Sequence, residues 1–243
     1  PGIAYYTQAF SLSLGAAITA SHNPYSDNGI KFFNGKGAKL CTTTELEIEA
    51  IVDANNTIKA SGQKADLQND NGAEFYKNFL KNKISPFLKD EKIILDTANG
   101  ATCKTSIPLL NYWGCDLLHI GAEPHGYNIN EGCGSENLSM LLQLQKQHAC
   151  LGFAHDGDGD RLRIVDGNGE VVDGDCILGL LALKLQRENL LHNDTLVVTH
   201  QSNYGLDQSL KKYGIRVIRS KIGDREVFYT MEKYGASLGG ESS

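Results

Sequence analysis

Short apolar runs alternate with segments of helical spacing through the middle of the chain. Residues 92–96, 116–120 and 150–154 are short, largely apolar runs typical of buried strands. Between them, residues 104–113 and 138–148 repeat apolar positions at the spacing of an α-helix. This β-α-β-α-β order predicts a parallel sheet covered by helices.

The same two patterns, short apolar runs and helical spacing, predict further strands and helices before and after residues 92–154. Upstream, we expect the end of a helix over 3–14, strands over 16–19 and 30–33, and helices over 44–54 and 73–81. Downstream, we expect a hairpin over 162–165 and 171–173, helices over 176–188, 204–213 and 224–234, and strands over 195–199 and 216–218. The last residues, 239–243, are predicted to form a loop. The expected fold class is α/β, with consecutive α/β domains whose mixed, mostly parallel sheets are covered by helices.

Two changes in composition indicate domain boundaries. Residues 59–71 are almost entirely polar, and a new α/β unit begins near Gly174. We therefore divide the chain into domains over 1–66, 67–172 and 173–243. Because the chain opens at Pro1 and stops in a loop-like run, we expect it to be a fragment of a longer protein.

Composition and charge narrow the class of protein. An apolar content of 41% and a charged content of 21% are ordinary for a globular protein. The net charge of -6 argues against a nucleic-acid partner, and we expect neither a leader segment nor an apolar run long enough to cross a membrane. The six cysteines show no metal-ligand spacing. We expect reduced thiols and a cytoplasmic location.

Three aspartates alternate with glycines directly after a predicted strand. Asp156, Asp158 and Asp160 are followed by Arg161. A single Asp-Gly pair is typical of a surface turn, but three clustered carboxylates repel one another unless a cation compensates them. An EF-hand loop requires glycine and glutamate at its sixth and twelfth positions, where this sequence has Arg161 and Gly167. Oxygen ligands alone favour Mg²⁺, Mn²⁺ or Ca²⁺, and a phosphate partner favours Mg²⁺.

A serine far upstream lies in an unusual context. Ser21 follows a run of small apolar residues, and Asn23-Pro24 forces a turn immediately after it. Most serines are ordinary loop residues, but this arrangement presents a hydroxyl on a rigid loop. His22 and Lys31 lie close in sequence and are candidates to orient a phosphate or move protons. A metal loop and a serine that can carry phosphate together suggest phosphoryl transfer.

Three ordered motifs give the chain a resemblance to the α-D-phosphohexomutases over essentially its whole length. T-A-S-H-N-P at 19–24, with D-N-G-I-K-F-F at 27–33, resembles the family's phosphoserine loop. D-G-D-G-D-R at 156–161 is similar to its metal loop, and G-E-S-S at 240–243 is similar to the start of its sugar-recognition loop.

The resemblance implies a mechanism and a set of site residues. Ser21 would bear the phosphoryl group, and Mg²⁺ would be held by Asp156, Asp158, Asp160 and an oxygen of the phosphorylated Ser21. The attacking sugar hydroxyl would give a bisphosphate that turns over and returns its other phosphate to Ser21.

Further residues match family positions around the substrate. His22, Lys31 and Arg161 would surround the phosphoryl group. The sugar would be bound by Glu241 and Ser243, with Lys221 and Arg225 as weaker candidates.

Within the family, residues 121–130, 153–166 and 221–225 are most similar to members that interconvert glucosamine 6-phosphate and glucosamine 1-phosphate on the route to UDP-N-acetylglucosamine. Mannose or glucose phosphates remain alternative substrates, because the discriminating residues follow Ser243. A phosphohydrolase of the haloacid dehalogenase type is a further alternative, disfavoured by Asp160 at the fifth position of its motif. A non-catalytic metal-binding module leaves the Ser21 loop unexplained.

Family members have four domains, so the resemblance implies that this fragment alone is inactive or nearly so. The sequence leaves the oligomeric state open, with a homodimer as one option for the full-length protein.

Overall fold

The computed structural model describes residues 1–54, 72–84 and 88–242. The chain begins with helix α1 (Gly2–Ala9), an antiparallel pair of strands β1 (Leu14–Thr19) and β2 (Gly29–Asn34), and helix α2 (Thr42–Asp53). The predicted helix over 3–14 is wrong in its second half. Ser11 adopts a left-handed backbone with φ 51°, which ends the helical turn, and the chain enters β1 at Leu14.

The middle unit contains a five-stranded mixed sheet. Its elements are α3 (Gly72–Lys83), β3 (Lys92–Asp96), a 3₁₀ turn (Ala101–Lys104), α4 (Ser106–Tyr112), β4 (Asp116–Ile120), α5 (Ser139–His148), β5 (Leu151–His155), β6 (Leu162–Val165) and β7 (Val171–Val172). The strand order is β4-β3-β5-β6-β7. The β4, β3 and β5 strands are parallel, and β6 and β7 are added antiparallel, so the predicted hairpin is present.

The central strand of this sheet is buried on both faces. Ile94 packs in a cluster with Leu141 of α5, whereas Ile93 packs in another with Leu109 and Trp113 at α4. The two helices therefore cover opposite faces, as the apolar periodicity predicts. Since β3 and β5 are parallel, the loops that follow them emerge at the same edge of the sheet.

The last unit is a parallel three-stranded sheet of order β10-β8-β9. Its elements are α6 (Gly174–Arg187), a 3₁₀ turn (His192–Asp194), β8 (Thr195–Thr199), α7 (Tyr204–Lys211), β9 (Arg216–Ser220), α8 (Asp224–Tyr234) and β10 (Leu238–Gly240). The β8 strand is completely buried, and Leu196 and Val198 lie in a core with Leu178 and Leu206.

The β10 strand corrects the loop predicted at the end of the chain. Gly239 and Gly240 have low strand propensity, which explains the misassignment. Their neighbours leave no room for side chains: a Cβ atom at Gly239 would lie 2.6 Å from the Met231 sulfur, and one at Gly240 would lie 2.8 Å from Leu178. Close packing of helices on the strand therefore selects glycine here.

The polar boundary predicted at 59–71 lies outside the described residues. All six cysteines are free thiols. Within the described ranges, none of the helices combines the length and apolarity that crossing a bilayer requires.

Candidate active site

The structure brings the Ser21 loop and the aspartate loop into direct contact. The Ser21 loop (residues 20–28) joins β1 to β2, and the aspartate loop (residues 156–161) follows β5. The Thr19 hydroxyl donates a hydrogen bond to Oδ2 of Asp158 at 3.0 Å, across 139 positions of sequence. The Ser21 carbonyl oxygen packs against Gly157, where a Cβ atom would come within 2.6 Å of it.

The three aspartates of the second loop converge as the sequence predicts. One carboxylate oxygen from each of Asp156, Asp158 and Asp160 lies within 4.8 Å of the others. Gly159 allows this convergence, because its φ of 71° turns the chain between the second and third carboxylates. Asp156 is fully buried, whereas Asp160 is exposed. The cluster therefore sits at the bottom of the loop and opens outward.

The buried end of this carboxylate cluster fits a hard divalent cation. Oδ2 of Asp156 and Oδ1 of Asp158 are buried and have no hydrogen-bond partner among the described residues. An unsatisfied buried carboxylate oxygen is costly, and a metal ligand bond would satisfy it. Burial and repulsion from the other two carboxylates raise the pKa of Asp156 to about 6, although the Arg161 N–H bond opposes the shift. An all-oxygen donor set of this kind suits Mg²⁺.

Lys31 lies in the carboxylate cluster itself. Its ammonium group bonds Oδ2 of Asp158 at 2.7 Å and Oδ2 of Asp160 at 3.0 Å. Burial disfavours the ammonium, but these bonds and the charge attraction outweigh burial and raise the pKa of Lys31. Burial also opposes the charged form of Asp158, and the bond from Lys31 holds the pKa of Asp158 below its ordinary value. Lys31 thus supplies a fixed positive charge beside two carboxylates.

Ser21 has a strained backbone. Its φ of 53° is left-handed, a conformation that costs a residue with a side chain about 1–3 kcal/mol. The Ser21 N–H donates to the Thr19 hydroxyl at 2.8 Å, so Thr19 connects the serine peptide to Asp158. Nδ1 of His22 lies 3.4 Å from the Ser21 hydroxyl oxygen. Strain held in this way is typical of functional sites.

Arg161 closes the aspartate loop. Its backbone N–H donates to Oδ1 of Asp156 at 3.1 Å, and its guanidinium pairs with Glu136 at 3.0 Å. The Arg161 carbonyl lies 3.3 Å from Nδ1 of His155, whose Nε2 lies 3.3 Å from the Ser106 hydroxyl. Burial lowers the pKa of His155, which favours the neutral ring. No motif in the sequence indicates Glu136 or His155, because their roles depend on contacts across the loop.

A cavity of about 1450 Å³ opens over the site. Residues from all three units line it; they include Thr19, Lys31, Lys39, Asn99, Gly157, Asp158, Asp160, Asp224, Arg225 and Tyr229. Its size is ample for a phosphorylated sugar.

Arg225 lies at the cavity wall but is already paired. Its guanidinium donates to Glu45 at 2.6 Å and to the Thr42 hydroxyl at 3.0 Å, and its neighbour Asp224 pairs with Lys39. These contacts join the N-terminus of α8 to the first unit of the chain. The family resemblance implies only substrate binding for Arg225, whereas the structure shows that Arg225 connects two units of the chain.

The remaining predicted sugar-binding residues occupy different settings. Oε1 of Glu241 accepts a hydrogen bond from the Gly223 N–H at 2.7 Å, which ties the end of the chain to the start of α8. Lys221 directly follows β9 and is not one of the described residues that line the cavity. Ser243 is outside the described residues.

Comparison with known protein families matches three models to successive parts of the chain. The phosphoglucomutase/phosphomannomutase alpha/beta/alpha domain I matches residues 1–59, domain II matches 73–169 and domain III matches 173–243.

Curated relatives extend these matches. The chain is 41% identical to phosphoglucosamine mutase of Acetivibrio thermocellus over 250 residues, and 43% identical to that of Syntrophotalea carbinolica over 251 residues. Each alignment covers 100% of this chain and 55% of the relative. The chain therefore spans about half the length of the curated relatives it matches.

Solved structures share the fold. A putative phosphomannomutase from Thermus thermophilus superposes with a TM-score of 0.82 at 23% identity, over 100% of this chain and 56% of that one. A phosphoglucomutase/phosphomannomutase family protein from Burkholderia thailandensis gives a TM-score of 0.81 at 24% identity, over 94% of this chain and 49% of that one.

Proposed function

The chain belongs to the phosphoglucomutase/phosphomannomutase family, and on that premise we propose that the full-length protein is a phosphoglucosamine mutase. It would interconvert glucosamine 6-phosphate and glucosamine 1-phosphate, a step toward UDP-N-acetylglucosamine. The observation that carries the proposal is the contact between the Ser21 loop and the carboxylate cluster through Thr19 and Asp158. The identity of 41–43% with relatives named phosphoglucosamine mutase supports the choice of sugar.

Asp156, Asp158 and Asp160 are the residues that would hold Mg²⁺. The bound cation would offset negative charge on the phosphoryl group during transfer. The oxygens Oδ2 of Asp156 and Oδ1 of Asp158 support this assignment, because both are buried and neither has a hydrogen-bond partner among the described residues.

Phosphorylated Ser21 would donate its phosphoryl group to the free hydroxyl of the sugar phosphate. The bond between phosphorus and the Ser21 oxygen breaks, and a bond between phosphorus and the sugar oxygen forms. The sugar hydroxyl gives its proton to a base, and the released Ser21 oxygen takes up a proton to become a hydroxyl. The resulting bisphosphate turns in the cavity, and its other phosphate returns to Ser21, which regenerates the phosphoserine. The position of His22, 3.4 Å from the Ser21 oxygen, supports a role in moving a proton.

Cationic side chains would balance the charge of the substrate. Lys31 already lies between two carboxylates of the cluster, where its ammonium can also attract phosphoryl oxygens. Arg161 is turned toward Glu136, so we assign it to holding the loop as well as to balancing charge. Transfer of this kind depends on positioning and charge compensation more than on covalent chemistry.

The large cavity suits a bisphosphate that must turn without escaping. Its walls come from three units of the chain, so closure of these units would exclude water and strengthen every charge interaction inside. Since the chain spans about half of its relatives, we propose that the 243-residue chain alone turns over slowly or not at all. Six free thiols support a reducing, cytoplasmic setting.

Parallel assays test the proposal. Full-length protein and the 243-residue chain are assayed with Mg²⁺ and the 6-phosphates of glucosamine, glucose and mannose. We expect full-length protein to give the highest kcat/KM with glucosamine 6-phosphate. A preference for glucose or mannose phosphate would reassign the substrate. Equal turnover by both proteins would show that the missing half is dispensable, and no mutase activity with any sugar would reject the proposal.

A further inference from the structure

The side chain of Asn130 joins the Ser21 loop to the middle unit. Its amide nitrogen donates one hydrogen bond to the Ser21 carbonyl and a second to the Asn23 carbonyl, both at 2.8 Å. These bonds span 109 and 107 positions of sequence. Both hydrogens of the amide are therefore used on the carbonyls of the two residues on either side of His22, Ser21 and Asn23.

The backbone of Asn130 is itself tied to the edge of the sheet. Its N–H donates to the Ala98 carbonyl at 2.9 Å, in the loop that follows β3. The Ala98 N–H donates in turn to Asp96, a fully buried residue whose other carboxyl oxygen accepts from Gly134. Asp96 therefore fixes both the loop that contains Ala98 and the loop that contains Gly134. The side chain of Asn130 extends from this rigid framework.

The Asn130 amide contacts the Ser21 loop at the residue whose backbone is strained. Ser21 is left-handed, and a serine leaves that conformation unless its surroundings hold it. Asn130 holds the carbonyl side of the Ser21 peptide, while Thr19 accepts a bond from its N–H. Gly157 packs closely against the same carbonyl, where an added Cβ atom would lie 2.6 Å from the oxygen.

We propose that Asn130 is a positioning residue, which fixes the Ser21 peptide so that the Ser21 hydroxyl faces the carboxylate cluster. Asn130 acts through the backbone of the Ser21 loop, because one of its amide hydrogens is engaged by the Ser21 carbonyl and the other by the Asn23 carbonyl. This assignment rests on the proposed phosphoryl transfer at Ser21. It predicts that losing the amide slows transfer to and from Ser21 more than it weakens sugar binding, since misplacement of a reacting group by about 1 Å can cost on the order of 100-fold in rate.

The test compares Asn130→Ala and Asn130→Asp with Asn193→Ala in the full-length protein. Asn193 is a matched control, because its amide also donates to two carbonyls, those of Tyr234 and Gly235, and none of these three residues lines the cavity. Asn130→Asp keeps the size of the side chain but turns the donor into an acceptor, which covers the case in which the alanine variant misfolds.

Two readouts are taken for each variant. The first is kcat and KM for glucosamine 6-phosphate, together with the rate at which dephosphorylated protein gains phosphate on Ser21 from the sugar bisphosphate. The second is the Ser21 φ angle in crystals of each variant, which needs no activity.

We expect both Asn130 variants to lose kcat and Ser21 phosphorylation rate at least tenfold, with KM changed less than threefold and with Ser21 leaving the left-handed region. Asn193→Ala should keep wild-type kcat and the wild-type Ser21 angle. The proposal would be overturned by an unchanged Ser21 φ angle in the Asn130 variants, or by a loss of kcat no greater than that in Asn193→Ala. If wild-type protein never gains phosphate on Ser21, the proposed function fails, and the crystal angles still decide whether Asn130 positions the peptide.

Discussion

The carbonyl oxygen of Ser21 rests on the α-carbon of Gly157. A Cβ atom added at position 157 would lie 2.6 Å from that oxygen, 2.7 Å from a methyl carbon of Ile129 and 2.9 Å from the amide nitrogen of Asn130. The serine loop and the aspartate loop therefore approach as closely as two backbones can with no side chain between them. This contact sets the distance between the candidate nucleophile and the carboxylate cluster.

Substitution of Gly157 by alanine should separate the two loops. The added methyl group would lie 2.6 Å from the Ser21 carbonyl oxygen, a backbone atom, so we expect the Ser21 loop to move outward. We expect Gly157→Ala to lower kcat of the full-length protein by tenfold or more, in line with the roughly 100-fold cost of a misplacement of about 1 Å. Gly167→Ala is the control, because its nearest neighbour is the Ala149 carbonyl at an ordinary 3.5 Å. Equal activity in the two variants would contradict the role of this contact.

Asp158→Asn should weaken metal binding. Asp158 offers a buried oxygen without a hydrogen-bond partner among the described residues, and an amide in its place carries no negative charge. We expect the affinity for Mg²⁺, measured by calorimetry on the full-length protein, to fall by at least about tenfold. Asp116→Asn, at an exposed carboxylate on β4, should leave affinity unchanged. A wild-type affinity in Asp158→Asn would place the metal elsewhere.

Lys31→Met should make the fold more dependent on Mg²⁺. Lys31 compensates Asp158 and Asp160, so its loss leaves three carboxylates facing one another. We expect the variant to lose about 1–3 kcal/mol of stability without metal, and saturating Mg²⁺ to restore more stability to it than to wild type. Thermal unfolding of the 243-residue chain with and without Mg²⁺ measures both effects, with the exposed Lys36→Met as control. An equal gain from Mg²⁺ in all three proteins would show that Lys31 does not share the carboxylates with the metal.

The ion pair between Asp224 and Lys39 predicts a pH dependence. Burial opposes the charged form of Asp224, but the bond from Lys39 outweighs it and holds the pKa of Asp224 below its ordinary value. A carboxylate whose pKa is lower in the folded than in the unfolded protein stabilises the fold at pH values above its pKa in the unfolded protein. This contribution to stability disappears as the pH falls through the pKa in the folded protein.

We therefore expect Asp224→Asn to be less stable than wild type by under about 1 kcal/mol at pH 7, since the pair is partly exposed. The difference should shrink below about pH 4 and in high salt. Urea unfolding of the 243-residue chain from pH 3 to 7 measures this difference in stability. The control is Asp27→Asn, at an exposed residue of the Ser21 loop. A difference that stays constant over this range would show that the ion pair contributes nothing.

Much of the middle unit follows from sequence pattern alone. The predicted bounds of β3, β4 and β6 agree with the structure, because each is a short apolar run between strong turn signals. The convergence of Asp156, Asp158 and Asp160 also follows from spacing, since alternating residues around a glycine turn share one side of a loop.

Contacts between distant segments do not follow from the sequence. The Lys31 ammonium reaches Asp158 across 127 positions, and the Asn130 amide reaches Ser21 across 109. Nothing local to Glu136 marks it as the partner of Arg161. The first two pairings arise only when the antiparallel β1–β2 pair of the first unit docks on loops of the middle unit. Single-sequence periodicity carries no information about which segments meet.

Phosphate mapping tests the central claim, that Ser21 and the carboxylate cluster form one phosphoryl-transfer site. Full-length wild type, Ser21→Ala and Ser26→Ala are incubated with the sugar bisphosphate and Mg²⁺, and phosphorylated peptides are located by mass spectrometry. Ser26 is a control, because it is an exposed serine of the same loop. We expect one phosphate on Ser21 in wild type and in Ser26→Ala, transferable to glucosamine 6-phosphate, and neither phosphate label nor mutase turnover in Ser21→Ala. Phosphate on an aspartate, or turnover that persists in Ser21→Ala, would contradict the central claim.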